Sequence, residues 1–504
     1  MAASTAHRPP SVVIIGAGFG GLAVATELVR SGFGDFTILE RANEIGGVWR
    51  DNTYPGAGCD IPSALYSFSH RPNPDWPKRF SPRADIKAYL EDVAGEYGVT
   101  ERIRFGTAVA SAEFDESAGR WRVRTEAGEV IEADVLVPAV GQLSRPALPD
   151  IPGRDSFRGP AFHSAAWNHE CDLTGKRVAV IGTGASAIQF VPRLQRTAGH
   201  VTIFQRSAPW VVPKADLTYR PWHRAMFRRV PVIQKIERLR IWLFCEVLSL
   251  GVVDVPLVRR LVARLAHRHL RRQVPDPALR EKLTPDYAPG CKRVLFSGDY
   301  YPALTQRNVT VETEKIVEIG PTGVRTADGV VHEADVLVYG TGFRATELLV
   351  PMTVRGRRGA ALAQTWRHGA WAYLGITVPG FPNMFLVYGP NTNLGANSIV
   401  FMLESQARYV VRAVRALAGR PGVALEVKAE VAARYDAALQ RRLGRSVWTR
   451  CASWYRNAAG RIVSNWPGTV SQYRMRTRAL DLTDYRAILT RDGASSPSSP
   501  GEVR

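Results

Sequence analysis

Twice in this chain a short β-branched run stops at a glycine-rich loop and gives way to a segment with helical spacing of apolar residues. Val12–Ile15 leads into Gly16-Ala17-Gly18-Phe19-Gly20-Gly21, residues 22–29 carry the helical pattern, and Phe36–Leu39 reads as the next strand. Arg177–Ile181 leads into Gly182-Thr183-Gly184-Ala185-Ser186-Ala187, followed by a helix over 185–196 and a strand at His200–Phe204. Each is a βαβ unit whose small loop residues let the backbone approach a pyrophosphate at a helix N-terminus. Gly16, Gly18, Gly21, Gly182, Gly184 and Ser186 are therefore candidate dinucleotide contacts. In the first unit Glu40 ends the second strand, where its carboxylate can accept hydrogen bonds from a ribose diol. The same offset in the second unit lands on Arg206, whose guanidinium suits a ribose 2′-phosphate that a carboxylate would repel. The second nucleotide is thus expected to be NADPH.

A longer repeat frames these units. Val123-Arg124-Thr125, Gly128 and Glu132–Val137 recur as Val324-Arg325-Thr326, Gly329 and Glu333–Val338, all at one constant offset. Each copy predicts a β-hairpin followed by a buried parallel strand ending near glycine (Gly141; Gly340 and Gly342). The fold class expected is α/β, two Rossmann-like dinucleotide-binding domains with a helical insertion.

The 504 residues leave room for several domains. A net charge of +20 would ordinarily suggest nucleic acid, but the 57 arginines are spread along the chain with Ala, Gly and Pro, and no binding stripe stands out. No nucleic-acid partner is expected. The five cysteines (Cys59, Cys171, Cys245, Cys291, Cys451) are far apart, with neither a CxxC pair nor metal-ligand spacing, so free thiols in a reducing cytoplasm and no metal are expected. The first ten residues lack the apolar core of an export signal. Residues 219–272 are Arg-rich with helical periodicity; the apolar part, 241–258, contains Glu246, Asp254 and Pro256 and is a poor membrane span. A helical insertion packing on the nucleotide domain is expected, with peripheral membrane contact the alternative.

Further motifs narrow the family. Gly46-Gly47-Val48-Trp49, Tyr54-Pro55-Gly56 and residues 60–66 (DIPSALY) follow the first unit, and Phe157, Gly159, His163 and Trp167 stand at the FxGxxxHxxxW spacing between the glycine loops. Lys292-Arg293, Tyr300-Tyr301, residues 339–343 (YGTGF) and Ser453-Trp454-Tyr455 continue the match. The chain resembles class B flavoprotein monooxygenases, and within them the Baeyer–Villiger monooxygenases. Asn168 departs from the Pro or Asp that often follows the tryptophan, and Gly340 from a common alanine.

The resemblance implies FAD and NADPH as cofactors, a ketone and dioxygen as co-substrates, and insertion of one oxygen atom through a C4a-peroxyflavin to give an ester or lactone. An N- or S-oxygenating flavin monooxygenase is the alternative. It implies Arg293 as the catalytic arginine with Asp60 as its carboxylate partner. Gly47, Trp49, Asp60, Tyr66, Val109 and Gln142 are implied near FAD, and Lys292, Arg206 and Trp454 near NADP, with Trp454 on a mobile loop. His163 is implied to hold the linker. The domain division expected is 1–145 for the first part of the FAD-binding domain, 146–213 for the linker and first part of the NADP-binding domain, and 214–290 for the helical insertion. Residues 291–345 complete the NADP-binding domain, 346–491 the FAD-binding domain, and 492–504 form a disordered tail.

Overall fold

The computed structural model of the chain describes residues 9–489 apart from 254, 419, 421 and 458, so the expected tail at 492–504 lies outside the described residues. Two parallel sheets organise it. The first has four strands in the order 103–104, 36–39, 12–15, 135–138, with Val12 opposite both Phe36 and Val135. All four residues of Val12–Ile15 are buried, as a strand covered on both faces requires. The helix Phe19–Arg30 packs one side of this sheet and is itself covered by Ile399–Ala418, whose Val400, Leu403, Val410 and Val414 enter the same core. The C-terminal third thus returns to the first unit.

The second sheet has five parallel strands in the order 309–312, 200–204, 177–181, 336–339, 161–163. The internal repeat appears as two antiparallel three-stranded units, 109–115/120–125/130–133, to which 353–355 adds in parallel, and 316–320/323–326/331–333; the first leads into 135–138 at the end of the first sheet, the second into the internal strand 336–339 of the second. Gly128 and Gly329 occupy equivalent turns at φ +87° and +86°, a left-handed conformation that explains the repeated glycine. The helix expected over 185–196 is confined to Ala187–Leu194.

The insertion is helical, Pro221–Arg229, Pro231–Val253 and Pro256–Gln273. Its apolar stretch is divided, because the two longer helices meet at a 106° bend just before Pro256, whose ring suits a first helical turn and not a helix interior. Among the described residues no single helix is long and apolar enough to cross a membrane.

The cysteine reading requires correction. Cys291 and Cys451 form a disulfide with Cα atoms 6.1 Å apart, while Cys59, Cys171 and Cys245 are free. The partners are 160 residues apart in sequence, and their pairing depends on a small core around Leu443, Trp448 and Tyr455 that no local pattern reveals.

Candidate active site

The first glycine loop is shaped by contacts that exclude a side chain. At Gly21 a Cβ would stand 1.9 Å from the Gly16 carbonyl oxygen; at Gly16, where φ is +103°, it would stand 2.9 Å from that of Ala139. Gly18 and Gly47 face each other, a Cβ on Gly47 falling 3.3 Å from the Gly18 Cα, so two backbone segments form a narrow cradle. Glu40 is buried beside it. Its Oε2 accepts from the Ala17 amide at 2.8 Å, and its Oε1 from the Ala42 amide at 3.0 Å and Arg50 Nη1 at 2.9 Å. The carboxylate therefore fixes the loop as well as standing at its mouth.

Trp49 Nε1 donates to the Tyr66 hydroxyl at 3.2 Å, and the Tyr66 ring meets Phe19 edge-on, tying residues 49 and 66 to the helix that follows the loop. Gln142 donates through Nε2 to the Tyr388 carbonyl at 3.0 Å, while its Oε1 is buried without a hydrogen-bond donor. A bound ring N–H is the kind of group that satisfies such an acceptor. The cradle and this orphaned oxygen fit a flavin dinucleotide. Val109 lies half-buried at the start of the neighbouring hairpin, against the core that contains Leu39 and Leu136.

In the second loop Gly182 has φ +111° and its Cβ would stand 2.5 Å from the Gly340 carbonyl oxygen, so the loop abuts Gly340 at the end of the strand Val336–Tyr339. Ser186 precedes the helix Ala187–Leu194. Arg206 is exposed just past the strand His200–Phe204. Lys292 joins it from the far side of the insertion, donating from Nζ to Ser207 Oγ at 2.7 Å and lying 4.5 Å over the Tyr287 ring. Burial lowers the Lys292 pKa, and the Arg206 charge lowers it further. Asp286 offsets part of this lowering, but the charge around Lys292 and Arg206 stays cationic on balance, which fits a phosphate dianion.

Arg293, next to Lys292 in sequence, donates from Nε and Nη2 to the two oxygens of Asp60, at 3.0 and 2.7 Å. Burial alone would raise the Asp60 carboxyl, but Arg293 and Lys214 reverse this and hold it below the usual range. Asp60 in turn raises the guanidinium further, so the pair is charged throughout the working pH range. Buried Tyr455, its pKa pushed up to about 12, and Tyr388 lie within the field of Arg293. Trp454 is 43% exposed next to Tyr455, with ring centroids 4.4 Å apart.

The linker motif is structural in its contacts. Gly159 leaves no room for a Cβ, which would stand 2.3 Å from the Asp335 carbonyl oxygen, and Phe157 packs against the core below the second sheet. Trp167 is buried against Phe162 and Phe190. His163 Nδ1 accepts from the Ala165 amide at 3.1 Å, and burial lowers the imidazole pKa, with the Gly342 backbone partly offsetting it.

Two further positions, marked by no sequence motif, hold the site together. Tyr388, at φ +60°, receives Gln142 on its carbonyl, donates its amide to Gln406 and its hydroxyl to Asn393, and so bridges the flavin cradle and the arginine. The turn-rich segment 389–393 (GPNTN) was the available signal. Gln189 exchanges hydrogen bonds with the backbone of Gly58 and accepts from the Tyr54 hydroxyl, clamping the loop that carries Asp60 onto the NADP-side helix.

Comparison with known proteins agrees with this geometry. Residues 10–434 match the family described as flavin-binding monooxygenase-like. A Baeyer-Villiger monooxygenase of Streptomyces coelicolor is 44% identical over 487 residues, covering 96% of this chain and 93% of that protein. A Baeyer-Villiger monooxygenase of Pseudomonas aeruginosa is 43% identical with the same coverage. Oxidized steroid monooxygenase bound to NADP superposes with a TM-score of 0.84 at 31% identity, over 95% of this chain and 99% of that one. The closed crystal structure of cyclohexanone monooxygenase gives 0.84 at 28% identity, with the same coverage. The chain belongs to the flavin-binding monooxygenase-like family.

Proposed function

We propose that this protein is an NADPH- and FAD-dependent Baeyer–Villiger monooxygenase. It converts a ketone, dioxygen, NADPH and a proton into an ester or lactone, NADP+ and water. Bound FAD supplies the chemistry, accepting hydride from NADPH and, once reduced, activating dioxygen. The observation that carries the assignment is the Arg293–Asp60 fork, a fixed cation between the two nucleotide sites. Asp60 takes one hydrogen each from Nε and Nη2, so the remaining guanidinium hydrogens can meet negative charge that develops on oxygen, with no reorganisation at the moment of reaction. Asp60 fixes the plane of the guanidinium; Tyr388 and Tyr455, held protonated by burial, line the same space without adding charge.

Arg206 and Lys292 are assigned to the 2′-phosphate of NADPH, and Trp454 to a cover over the nucleotide. Gly16, Gly18, Gly21, Glu40, Gly47, Trp49, Tyr66, Val109 and Gln142 are assigned to FAD, and Gly182, Gly184 and Ser186 to the NADPH pyrophosphate. His163, neutral at working pH with Nδ1 occupied by a backbone amide, is a positioning residue for the linker. Residues 1–145 and 346–491 form the flavin-binding part, and 146–213 with 291–345 the NADPH-binding part. The cytoplasm, where NADPH is supplied, is the compartment proposed. Incubation of the purified holoenzyme with NADPH and parallel panels of ketones, amines and sulfides, with products identified by mass, tests the function. Ester or lactone from ketones is the expected product; oxygenation confined to amines or sulfides would overturn the assignment.

A further inference from the structure

The helix Pro231–Val253 has two apolar faces and only one is used. Gln234, Ile241, Cys245 and Ser249 are buried against the protein. On the opposite face Val232, Ile236, Leu239, Leu243, Val247 and Leu250 follow one another at three- and four-residue steps, and each is 41–55% exposed. The next helix repeats the arrangement. Ala266, His269 and Leu270 point inward, while Leu257, Leu261 and Leu265 are 61, 53 and 49% exposed. Two apolar stripes of this length on successive helices are more than scattered surface residues and mark an interaction face.

Its charge selects the partner. Arg260, Arg264 and Arg268 are exposed and interleave with the three leucines, and Lys235 and Arg240 flank the stripe on the first helix. The acids of the first helix face inward instead. Glu237 pairs with Arg79, and Glu246 accepts from Asn397 and from the Val470 and Ser471 amides. Among the described residues the outward face is apolar and cationic, with no compensating carboxylate. A second copy of this chain would bring the same cations against it. An anionic bilayer complements both features, since leucines enter the acyl boundary while guanidinium groups reach back to lipid phosphates. We propose that the two insertion helices dock this protein on the surface of an anionic phospholipid membrane, without spanning it.

Sedimentation of the FAD-loaded enzyme with vesicles of phosphatidylcholine mixed with phosphatidylglycerol, or of phosphatidylcholine alone, tests this. Binding to the anionic vesicles, weakened by salt, is expected. Replacing Arg260, Arg264 and Arg268 together by alanine should lower the partition coefficient roughly a hundredfold. Leu239→Glu with Leu243→Glu should abolish binding, while flavin content and NADPH oxidation without vesicles stay at wild-type level. Absence of binding to either vesicle would overturn the proposal, as would binding indifferent to the leucine changes. Concentration-dependent self-association of the unmutated enzyme, lost in the leucine variant, would identify the face as an interface between copies and also overturn it.

Discussion

Arg293 and Asp60 are 233 residues apart in sequence and form a two-pronged pair in which each carboxylate oxygen accepts one guanidinium hydrogen. Asp60 follows the loop clamped by Gln189, and Arg293 follows Cys291, so each partner is anchored beside a separate tertiary contact. A cation oriented in this way is available on a fixed trajectory, which a lone arginine on a loop would not provide.

The two glycine loops should be separable in function. Gly16→Ala places a Cβ against the Ala139 carbonyl at a φ suited to glycine, and should yield protein with little bound flavin. Gly182→Ala creates the corresponding clash with Gly340 and should leave the protein yellow but poorly reduced by NADPH. Flavin absorbance and anaerobic titration distinguish the two; equal loss of flavin in both variants would contradict the assignment of separate nucleotides.

Preference for NADPH should depend on Arg206 and Lys292. Each contact removed by alanine substitution should cost about 1.5–3 kcal/mol, raising the Michaelis constant for NADPH roughly 10- to 100-fold with little change in kcat. Equal efficiency with NADH in the unmutated enzyme would contradict the 2′-phosphate site.

The lowered Lys292 pKa gives this site a pH signature. The lysine is cationic below its pKa and loses charge as pH rises through it, so kcat/KM for NADPH should fall on the alkaline side at a lower pH than an ordinary lysine would produce. Lys292→Arg should remove that limb while retaining preference for NADPH. An unchanged profile in the variant would assign the titration to another group.

Three of the five cysteines should react with a thiol reagent after denaturation without reductant, and all five after reduction. Reduction should lower stability by about 2–4 kcal/mol, visible as a fall in Tm. Five reactive thiols at the outset would contradict the Cys291–Cys451 bond.

The sequence was most informative where structure is local. Val12–Ile15 and Arg177–Ile181 are apolar runs ending at glycines, and the Gly128 and Gly329 turns recur because a positive φ is required at both. Arg206 was legible by its offset from the glycine loop, and Lys292, Asp60 and Arg293 only through resemblance, since nothing near them in sequence announces that they converge. Tyr388 was hidden because its contribution depends on an uncommon backbone conformation and on Gln142 and Gln406, both distant in sequence. The disulfide was hidden for a similar reason: spacing excludes a CxxC site but carries no information on a contact made by folding.

The central claim is that Arg293, aligned by Asp60, stabilises oxygen-centred charge during insertion, and ester formed per NADPH consumed tests it most directly. Arg293→Ala should bind FAD and oxidise NADPH but lose at least ~10²–10³ in ester formation, about 3–4 kcal/mol, with hydrogen peroxide appearing instead. Asp60→Ala, which leaves the guanidinium present but unaligned, should show a smaller loss. Wild-type ester yield from Arg293→Ala would contradict the account and require the stabilising charge to come from another residue.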